Sequence, residues 1–237
     1  MAHKDKFHTK LEIVKLASHM FLTQGYTESS TKKMAQELGI SVGNLAYHFP
    51  TKEHLLAELT TRLCEYHVMI MAAEVDEGCT SLLAYLLELT AMMAICDESE
   101  LAKDLYTAMY RSPMALKLVR EADTQKIKSI FAEYCPDWEA DDFALTENVV
   151  SGIEYASLMK ENAGGIPLDR RVAKTLNVVM RIYNVPEEIR QQKIRKVLAM
   201  DYRRIGRQFV AGFAAYVEAV NEQALEEADQ KTEVWPL

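Results

Sequence analysis

The sequence contains few residues that make turns, with nine glycines and six prolines among 237 residues. This is about half the average usage. Sandwiches and barrels need a turn after every short strand, so the scarcity disfavours them and favours long helices. The four cysteines form no CxxC pair, and a chain of this size needs no disulfides. We therefore expect reduced, mostly buried thiols in an all-α protein.

Long apolar segments are also missing. The longest uninterrupted runs, such as Leu82 to Leu87 and Ala91 to Cys96, are far shorter than the roughly 20 residues that cross a bilayer. The charged N-terminus is not followed by an apolar stretch, unlike a secretory signal. We therefore expect no membrane partner and a cytoplasmic location.

Sequence motifs of common enzyme classes are absent as well. We find no GxSxG, no Walker loop, no dinucleotide fingerprint and no HExxH. Cys64 and His67 lie one helical turn apart and could begin a metal site, but nothing nearby in sequence completes the ligand set. The prediction is a protein that is not an enzyme and has no cofactor and no metal.

Charge is distributed unevenly along the chain. Residues 1–52 carry seven lysines against four carboxylates, a net charge of +3, whereas the whole chain carries −8. The remaining residues therefore carry −11. A basic end on an acidic body suggests that this end meets a polyanion, although a solvated face can also be basic by chance.

Apolar residues at helical spacing predict about ten helices and no strand. The first helix stops at Gly25, and the second and third meet at the break Gly39-Ile40-Ser41. The fourth begins at Pro50-Thr51 and ends near Gly78. The last runs from Asp201 to roughly Ala228.

The break between the second and third helices is typical of a helix-turn-helix. Gly39 suits the left-handed turn after one helix, and Ser41 can cap the next. Ala35 is small where the two helices would cross. In this motif the second helix enters the major groove of DNA. The alternative is a helical hairpin that never contacts nucleic acid.

The third helix has an unusually polar outer face. It presents Val42, Asn44, Tyr47 and His48, while Gly43 would let the backbone approach DNA closely. Tyr47 and His48 can donate hydrogen bonds to phosphate oxygens. Lys52 adds a cation at the N-terminus of the fourth helix, which already favours anions.

The segment from Leu11 to Leu59 resembles the N-terminal domain of the TetR family of bacterial transcriptional regulators. The residues that carry the resemblance are Ala17, Phe21, Gly25-Tyr26, Ala35, Leu38-Gly39-Ile40-Ser41, Gly43-Asn44-Leu45, Tyr47-His48-Phe49 and Lys52-Glu53. One departure is Ala46, where the family usually has an aromatic residue.

The resemblance implies a three-helix DNA-binding domain, residues 1–52, and a helical effector-binding and dimerisation domain, residues 53–237. It implies a homodimer on palindromic DNA. Phosphate contacts would come from Thr31, Tyr47, His48 and Lys52. Base contacts would come from Lys32, Val42 and Asn44.

Beyond residue 75 the resemblance ends, and the body supplies only candidates for an effector pocket. Aromatic and methionine side chains suit an adaptable pocket, although each could equally be plain core. The candidates are Tyr85, Met92, Met93, Tyr106, Met109, Tyr110, Phe131, Tyr155 and Met159. Glu147, Asn148 and Glu154 could add polarity or hold a cation, or could be solvated or interfacial.

Two surfaces of the body have competing interpretations. The last helix carries an apolar stripe that is either a dimer face, paired with residues 143–159, or packing within one subunit. The stripe comprises Tyr202, Gly206, Phe209, Phe213, Val217 and Val220. A basic cluster could bind an anionic effector or form a solvated, ion-paired face. It comprises Arg190, Lys193, Arg195, Lys196, Arg203, Arg204 and Arg207.

Together these features predict a transcriptional repressor that binds duplex DNA as a homodimer and is released by an unknown small-molecule effector. The alternatives are an activator, or a dimeric helical adaptor whose N-terminal domain binds a protein. Salt dependence separates DNA from protein as the partner, because only phosphate contacts weaken steeply with salt.

Overall fold

A computed structural model describes residues 2–159 and 165–233, and within them it has twelve α-helices and no strand. The all-α prediction is therefore confirmed. The helices are α1 (Ala2–Thr23), α2 (Thr31–Glu37), α3 (Val42–His48), α4 (Lys52–Glu74), α5 (Leu82–Glu98), α6 (Glu100–Arg111), α7 (Pro113–Phe131), α8 (Ala140–Met159), α9 (Leu168–Ile182), α10 (Glu187–Leu198), α11 (Tyr202–Ala211) and α12 (Phe213–Glu233). A single 3₁₀ turn, Ala132–Tyr134, follows α7. No helix in this part of the chain is both long and apolar enough to cross a bilayer.

The turn between α2 and α3 forms as its sequence predicts. The Ser30 hydroxyl accepts from the backbone N–H of Lys33 (3.2 Å), and the Ser41 hydroxyl accepts from that of Asn44 (3.0 Å). Each serine satisfies a backbone donor that the helix itself leaves unpaired. Gly39 has a φ of +65°, in the left-handed region that glycine tolerates best. Buried Met34, Ala35 and Leu45 form the small core beneath the turn.

α5 is the centre of the body. It packs against α4, α6, α8, α9, α10 and α11, and most of its residues from Leu82 to Cys96 are buried. The apolar runs Leu82 to Leu87 and Ala91 to Cys96 both lie in this helix. A helix that is apolar on all sides must be surrounded by others, which explains why α5 has neighbours in every direction.

The single last helix predicted from Asp201 is in fact two helices, α11 and α12, separated at Gly212. A Cβ built on Gly212 would lie 1.9 Å from the hydroxyl oxygen of Tyr66 on α4. That hydroxyl donates to the backbone carbonyl of Gln208 (3.1 Å). The Tyr66 side chain thus occupies the place of a side chain at residue 212. Only glycine fits there.

The apolar stripe of α11 and α12 is packing within one subunit. Phe209, Phe213 and Val217 are buried against the same chain. At Gly206 an added Cβ would lie 2.5 Å from the backbone oxygen of Ala91 on α5, so glycine permits close helix packing there. These side chains are therefore covered inside the subunit, and a dimer contact through the last helices stays a prediction.

α12 returns to the beginning of the chain and packs along α1. Lys15 pairs with Glu218. The buried Asn221 side chain donates to the backbone carbonyl of Leu11 (3.0 Å) and accepts from the Arg62 guanidinium on α4 (2.7 Å). One polar side chain thereby joins three helices that are distant in sequence.

Candidate nucleic-acid interface and interior cavity

α3 lies on the surface and buries only Leu45 in full. Val42 is 51% exposed and Tyr47 is 65% exposed, and Gly43 and Asn44 between them are exposed as well. Large apolar and aromatic side chains exposed together on a polar helix mark a contact surface more often than chance. The α3 residues predicted to contact bases are therefore exposed, and Ala46 is exposed as well.

Lysines of α1 extend this face. The Lys6 ammonium donates to the Tyr47 hydroxyl (3.1 Å) and lies 4.9 Å from the centre of its ring. The Tyr47 and His48 rings meet edge to face, 5.2 Å apart. Burial, then repulsion from Lys10 and Lys6, lowers the pKa of His48. The C-terminal end of α3 thus lies in a positive field that would attract phosphate.

α2 contributes the other predicted contacts. Thr31 is half-buried in its first turn, and Lys32 next to it is exposed. Both follow the cap at Ser30, where the backbone N–H groups of a helix N-terminus face outward.

Lys52 has a different environment from the one that its sequence context predicts. Its ammonium donates to the backbone carbonyls of Tyr26 (2.8 Å) and Ser29 (2.9 Å), and that of Thr27 lies at 3.5 Å. It also lies 4.1 Å from the centre of the Tyr26 ring, and burial lowers its pKa. The ammonium therefore ties the start of α4 to the loop before α2. A phosphate contact from Lys52 stays a prediction.

A small cavity lies between α4, α5, α6, α7 and α8. Its volume is about 40 Å³, enough for about two or three water molecules. Five of the predicted pocket residues line it: Tyr85, Met92, Tyr106, Met109 and Tyr110. Glu154, predicted as a polar candidate, lines it too.

The other pocket candidates lie nearby but do not line the cavity. Phe131 stacks on Tyr183 with ring centres 4.1 Å apart. Tyr155 packs against Tyr110 at 5.8 Å. Met159 accepts a contact from the Thr107 hydroxyl at 2.6 Å, and Met93 is buried core.

One end of the cavity is acidic. The Tyr85 hydroxyl (2.8 Å) and the Tyr110 hydroxyl (3.1 Å) both donate to the Glu154 carboxylate. Asp123 of α7 and Glu147 of α8 lie beside it. Burial, followed by repulsion from Glu154, raises the pKa of Asp123 to about 8 and that of Glu147 to about 9. The pKa of Glu154 is also raised by burial.

The opposite wall carries a hydrogen-bonded chain that starts on α4. The His67 ring bonds to Glu88 through Nδ1 (3.2 Å) and to the Tyr106 hydroxyl through Nε2 (3.1 Å), and it stacks on Phe209. Glu88 also pairs with Lys126. Burial alone would raise the pKa of Glu88, but Lys126 and His67 outweigh burial and lower it to about 2.

Cys64 lines the same cavity as His67, and burial raises the pKa of its thiol to about 12. Both imidazole nitrogens of His67 already have partners. Within the described residues, neither Cys64 nor His67 belongs to a group of three metal-ligating side chains. Asn148 is exposed on α8 and donates to the backbone carbonyl of Ala144, so it does not reach the cavity.

The basic cluster of the body is mainly an ion-paired face. Lys193 and Lys196 pair with Glu77, and Arg203 and Arg207 pair with Glu98. Arg204 forms a two-pronged pair with Glu74. Arg190 donates to Asn177 and to the backbone carbonyl of Val185.

Two helices connect the cavity to the N-terminal domain. α4 carries Cys64 and His67 at the cavity and Lys52 at the other end. α6 carries the cavity residue Tyr106 and, half a turn earlier, Asp104. The Asp104 carboxylate accepts from the backbone N–H of Thr27 (2.8 Å) and from its hydroxyl. Both helices therefore contact the loop before α2 directly.

Sequence reasoning missed the polar wall of Glu88, Asp123 and Lys126. These residues come from α5 and α7, and only the packing of those helices brings them together. A signal was present in Glu88, the one charged residue between Leu82 and Cys96, because a charge in such an apolar stretch must be paired.

The capped turn and the exposed α3 define a helix-turn-helix protein. Residues 13–59 match the family model for bacterial regulatory proteins of the tetR family. The resemblance predicted from the sequence is thereby confirmed for this segment. A search of curated proteins found no match.

Solved structures similar to this chain include the TetR family protein CprB from S. coelicolor A3(2). It is 20% identical, with 84% of this chain and 96% of that chain covered and a TM-score of 0.43. A gamma-butyrolactone receptor, an ArpA-like protein, is 17% identical, with 86% and 99% covered and a TM-score of 0.44.

Proposed function

We propose that this protein is a transcriptional repressor that binds an operator in duplex DNA, and that a small effector in the interior cavity releases it. It acts in the bacterial cytoplasm, as a regulator and not as an enzyme. The observation that carries the proposal is the open face of α3, from Val42 to Tyr47, behind a capped turn in a TetR-family domain.

In this proposal α3 enters the major groove. Lys32, Val42 and Asn44 contact bases, helped by Gly43, where the backbone can approach closely. Thr31, Tyr47 and His48 contact phosphates, and Ser41 holds the first turn of α3. Lys6, which already binds the Tyr47 hydroxyl, adds a further positive charge.

The second part of the proposal is a homodimer through α8. Leu145 is 66% exposed and Val149 is 59% exposed, one turn apart on the same face. A dimer places two copies of α3 about 34–36 Å apart, one turn of DNA. Such a dimer recognises a palindrome.

The small size of the cavity suggests how an effector acts. Pockets for drug-sized ligands are commonly about 300–1,000 Å³, so a ligand of that size enters only if the wall moves. Met92 and Met109 can adapt their shape. Displacing α6 would pull on Asp104 and hence on Thr27, which changes the position of α2 and α3.

The test is selection of duplexes from a random-sequence pool by the purified full-length chain. We expect a palindrome whose half-sites are one or more helical turns apart. Asn44→Ala should relax the base preference at one position of each half-site, whereas a uniform loss across sequences would assign Asn44 to the backbone instead.

A matched pair of lysine variants then tests the phosphate contacts. Lys6→Ala on α1, beside the Tyr47 hydroxyl, should reduce the slope of log K against log salt by about 1 per subunit. Lys117→Ala, an exposed lysine on α7, should leave the slope unchanged. No enriched sequence together with no salt dependence would contradict DNA binding and favour the adaptor. Reporter expression in cells separates a repressor from an activator.

A further inference from the structure

Three carboxyl groups converge at the acidic end of the cavity. Asp123 projects from α7, and Glu147 and Glu154 project from α8, seven residues and about two helical turns apart. One oxygen from each lies within 4.8 Å of the other two. Like charges at this distance repel strongly when they are buried, so something must stabilise them.

Glu147 carries an unpartnered oxygen. Its side chain is 1% exposed. One carboxylate oxygen accepts from the Tyr183 hydroxyl (3.3 Å), whereas the buried Oε1 has no hydrogen-bond partner. A buried polar atom without a partner costs about 1–3 kcal/mol, and more when it is charged. The Glu147 carboxyl group, which lies beside those of Asp123 and Glu154, can therefore accept a cation or a proton.

The protein's own cations do not neutralise this region. Four carboxyl groups lie in or beside the cavity, namely Glu88, Asp123, Glu147 and Glu154. Lys126 is paired with Glu88, and the Arg120 guanidinium donates to the Ser151 hydroxyl (3.2 Å). With Lys126 and Arg120 counted as the two nearest cations and all four carboxyls ionised, two negative charges remain. A divalent ion balances that excess.

We propose that Asp123, Glu147 and Glu154 together bind one divalent metal ion of the class that prefers oxygen ligands: Mg²⁺, Mn²⁺ or Ca²⁺. The ligands are all carboxylate oxygens, which suit these hard cations and not zinc or copper. Metal–oxygen bonds of about 2.0–2.6 Å place oxygens on opposite sides of an ion about 4–5 Å apart. The three oxygens lie within 4.8 Å of one another, which is no farther apart than oxygens bound to one ion.

The surroundings fit the same role. The Tyr85 and Tyr110 hydroxyls orient Glu154, and the Tyr183 hydroxyl orients Glu147, as outer partners of metal ligands commonly do. Asp123 is only half-buried and lines the cavity, which gives an ion a way in. The cavity has room for the waters that complete its coordination.

Protons are the competing occupant. A carboxyl group must lose its proton before it can bind a metal ion. A metal ion displaces those protons when it binds. Metal binding should therefore release protons and become tighter as pH rises.

The test uses the purified full chain, stripped with EDTA and exchanged into chelator-free buffer at pH 7.5. Titration with MnCl₂ is followed by the EPR signal of free Mn²⁺. We expect one Mn²⁺ per chain. We also expect a rise in Tm of about 5–10 °C at a metal concentration about 100 times the Kd.

Glu147→Gln should weaken Mn²⁺ binding at least tenfold, because an amide cannot supply the carboxylate charge that a hard cation prefers. Asp123→Asn, at a half-buried position, is a second variant with the same expectation. Glu121→Gln, an exposed carboxylate on α7, is the control and should bind Mn²⁺ like the unaltered chain.

The proposal is overturned if the unaltered chain binds none of Mn²⁺, Mg²⁺ and Ca²⁺, or if Glu147→Gln and Asp123→Asn bind as tightly as the control. No DNA is present in this assay. Failure of DNA binding and failure of the metal site are therefore separate results.

Discussion

Lys52 is a residue whose type and position suggest one role while its contacts support another. Sequence context places a cation at a helix N-terminus, where anions bind. In the structure, however, the Lys52 ammonium donates hydrogen bonds to the backbone carbonyls of Tyr26 and Ser29. Those carbonyls belong to the loop that leads into α2, so Lys52 helps to hold the helix-turn-helix in place relative to α4.

Lys52→Gln should therefore lower the stability of the protein by about 1–2 kcal/mol, because charge-assisted hydrogen bonds to the loop are lost. Thermal unfolding measures the change. Lys33→Gln, an exposed lysine on α2, is the control and should leave Tm unchanged. An unaltered Tm for Lys52→Gln, with a smaller salt slope on DNA, would instead assign the ammonium to a phosphate.

Single residues also show which parts of the cavity the sequence could predict. Tyr106, Met109 and Tyr110 share one face of α6 at spacings of three and four, so their common direction follows from helical geometry. Asp123 and Glu88 lie on different helices, and no periodicity within either helix relates them. Local patterns therefore predicted the apolar wall but not the polar one.

At the scale of helices, the break at Gly212 comes from a contact between elements. The ends of α2 and α3 are set by local features, namely the caps at Ser30 and Ser41 and the left-handed turn at Gly39. The sequence predicted that turn correctly. Gly212 ends α11 beside Tyr66, which is 146 residues earlier in the chain. A local reading of residues 201–228 therefore predicts a single helix.

Gly212→Ala should destabilise the protein by about 1–3 kcal/mol through overpacking against the Tyr66 hydroxyl. In a Tyr66→Phe background most of that cost should disappear, because the closest atom is gone. A double-mutant cycle measured by urea unfolding gives the coupling. Equal costs in both backgrounds would place the strain elsewhere.

Gly206→Ala serves as the contrast. Its added Cβ meets the backbone oxygen of Ala91, which no side-chain substitution removes. The loss of stability caused by Gly206→Ala should therefore be the same in the Tyr66→Phe background as in the unaltered chain.

At the scale of the whole molecule, the open apolar face lies on α8 and not on the last helices. The sequence had suggested that α8 and the last helices together form one dimer interface. Burial of Phe209, Phe213 and Val217 within the subunit leaves Leu145 and Val149 as the exposed partners.

Leu145→Glu should weaken the proposed homodimer at least about 100-fold, because a charge would be buried without a partner. Sedimentation velocity should show a shift from dimer to monomer. Met69→Glu, at an exposed methionine on α4, is the control and should remain dimeric. A dimer that survives Leu145→Glu would move the interface away from α8.

The contact between α12 and α1 has a consequence for how the protein is made. α1 belongs to the N-terminal domain and leaves the ribosome first, yet the carbonyl of Leu11 and the guanidinium of Arg62 obtain their Asn221 partner only after some 160 to 210 more residues have been translated. Until then these groups stay hydrated and the apolar side of α1 lacks one neighbour. A nascent chain therefore completes its first domain late, and in the interval it is a natural substrate for chaperones.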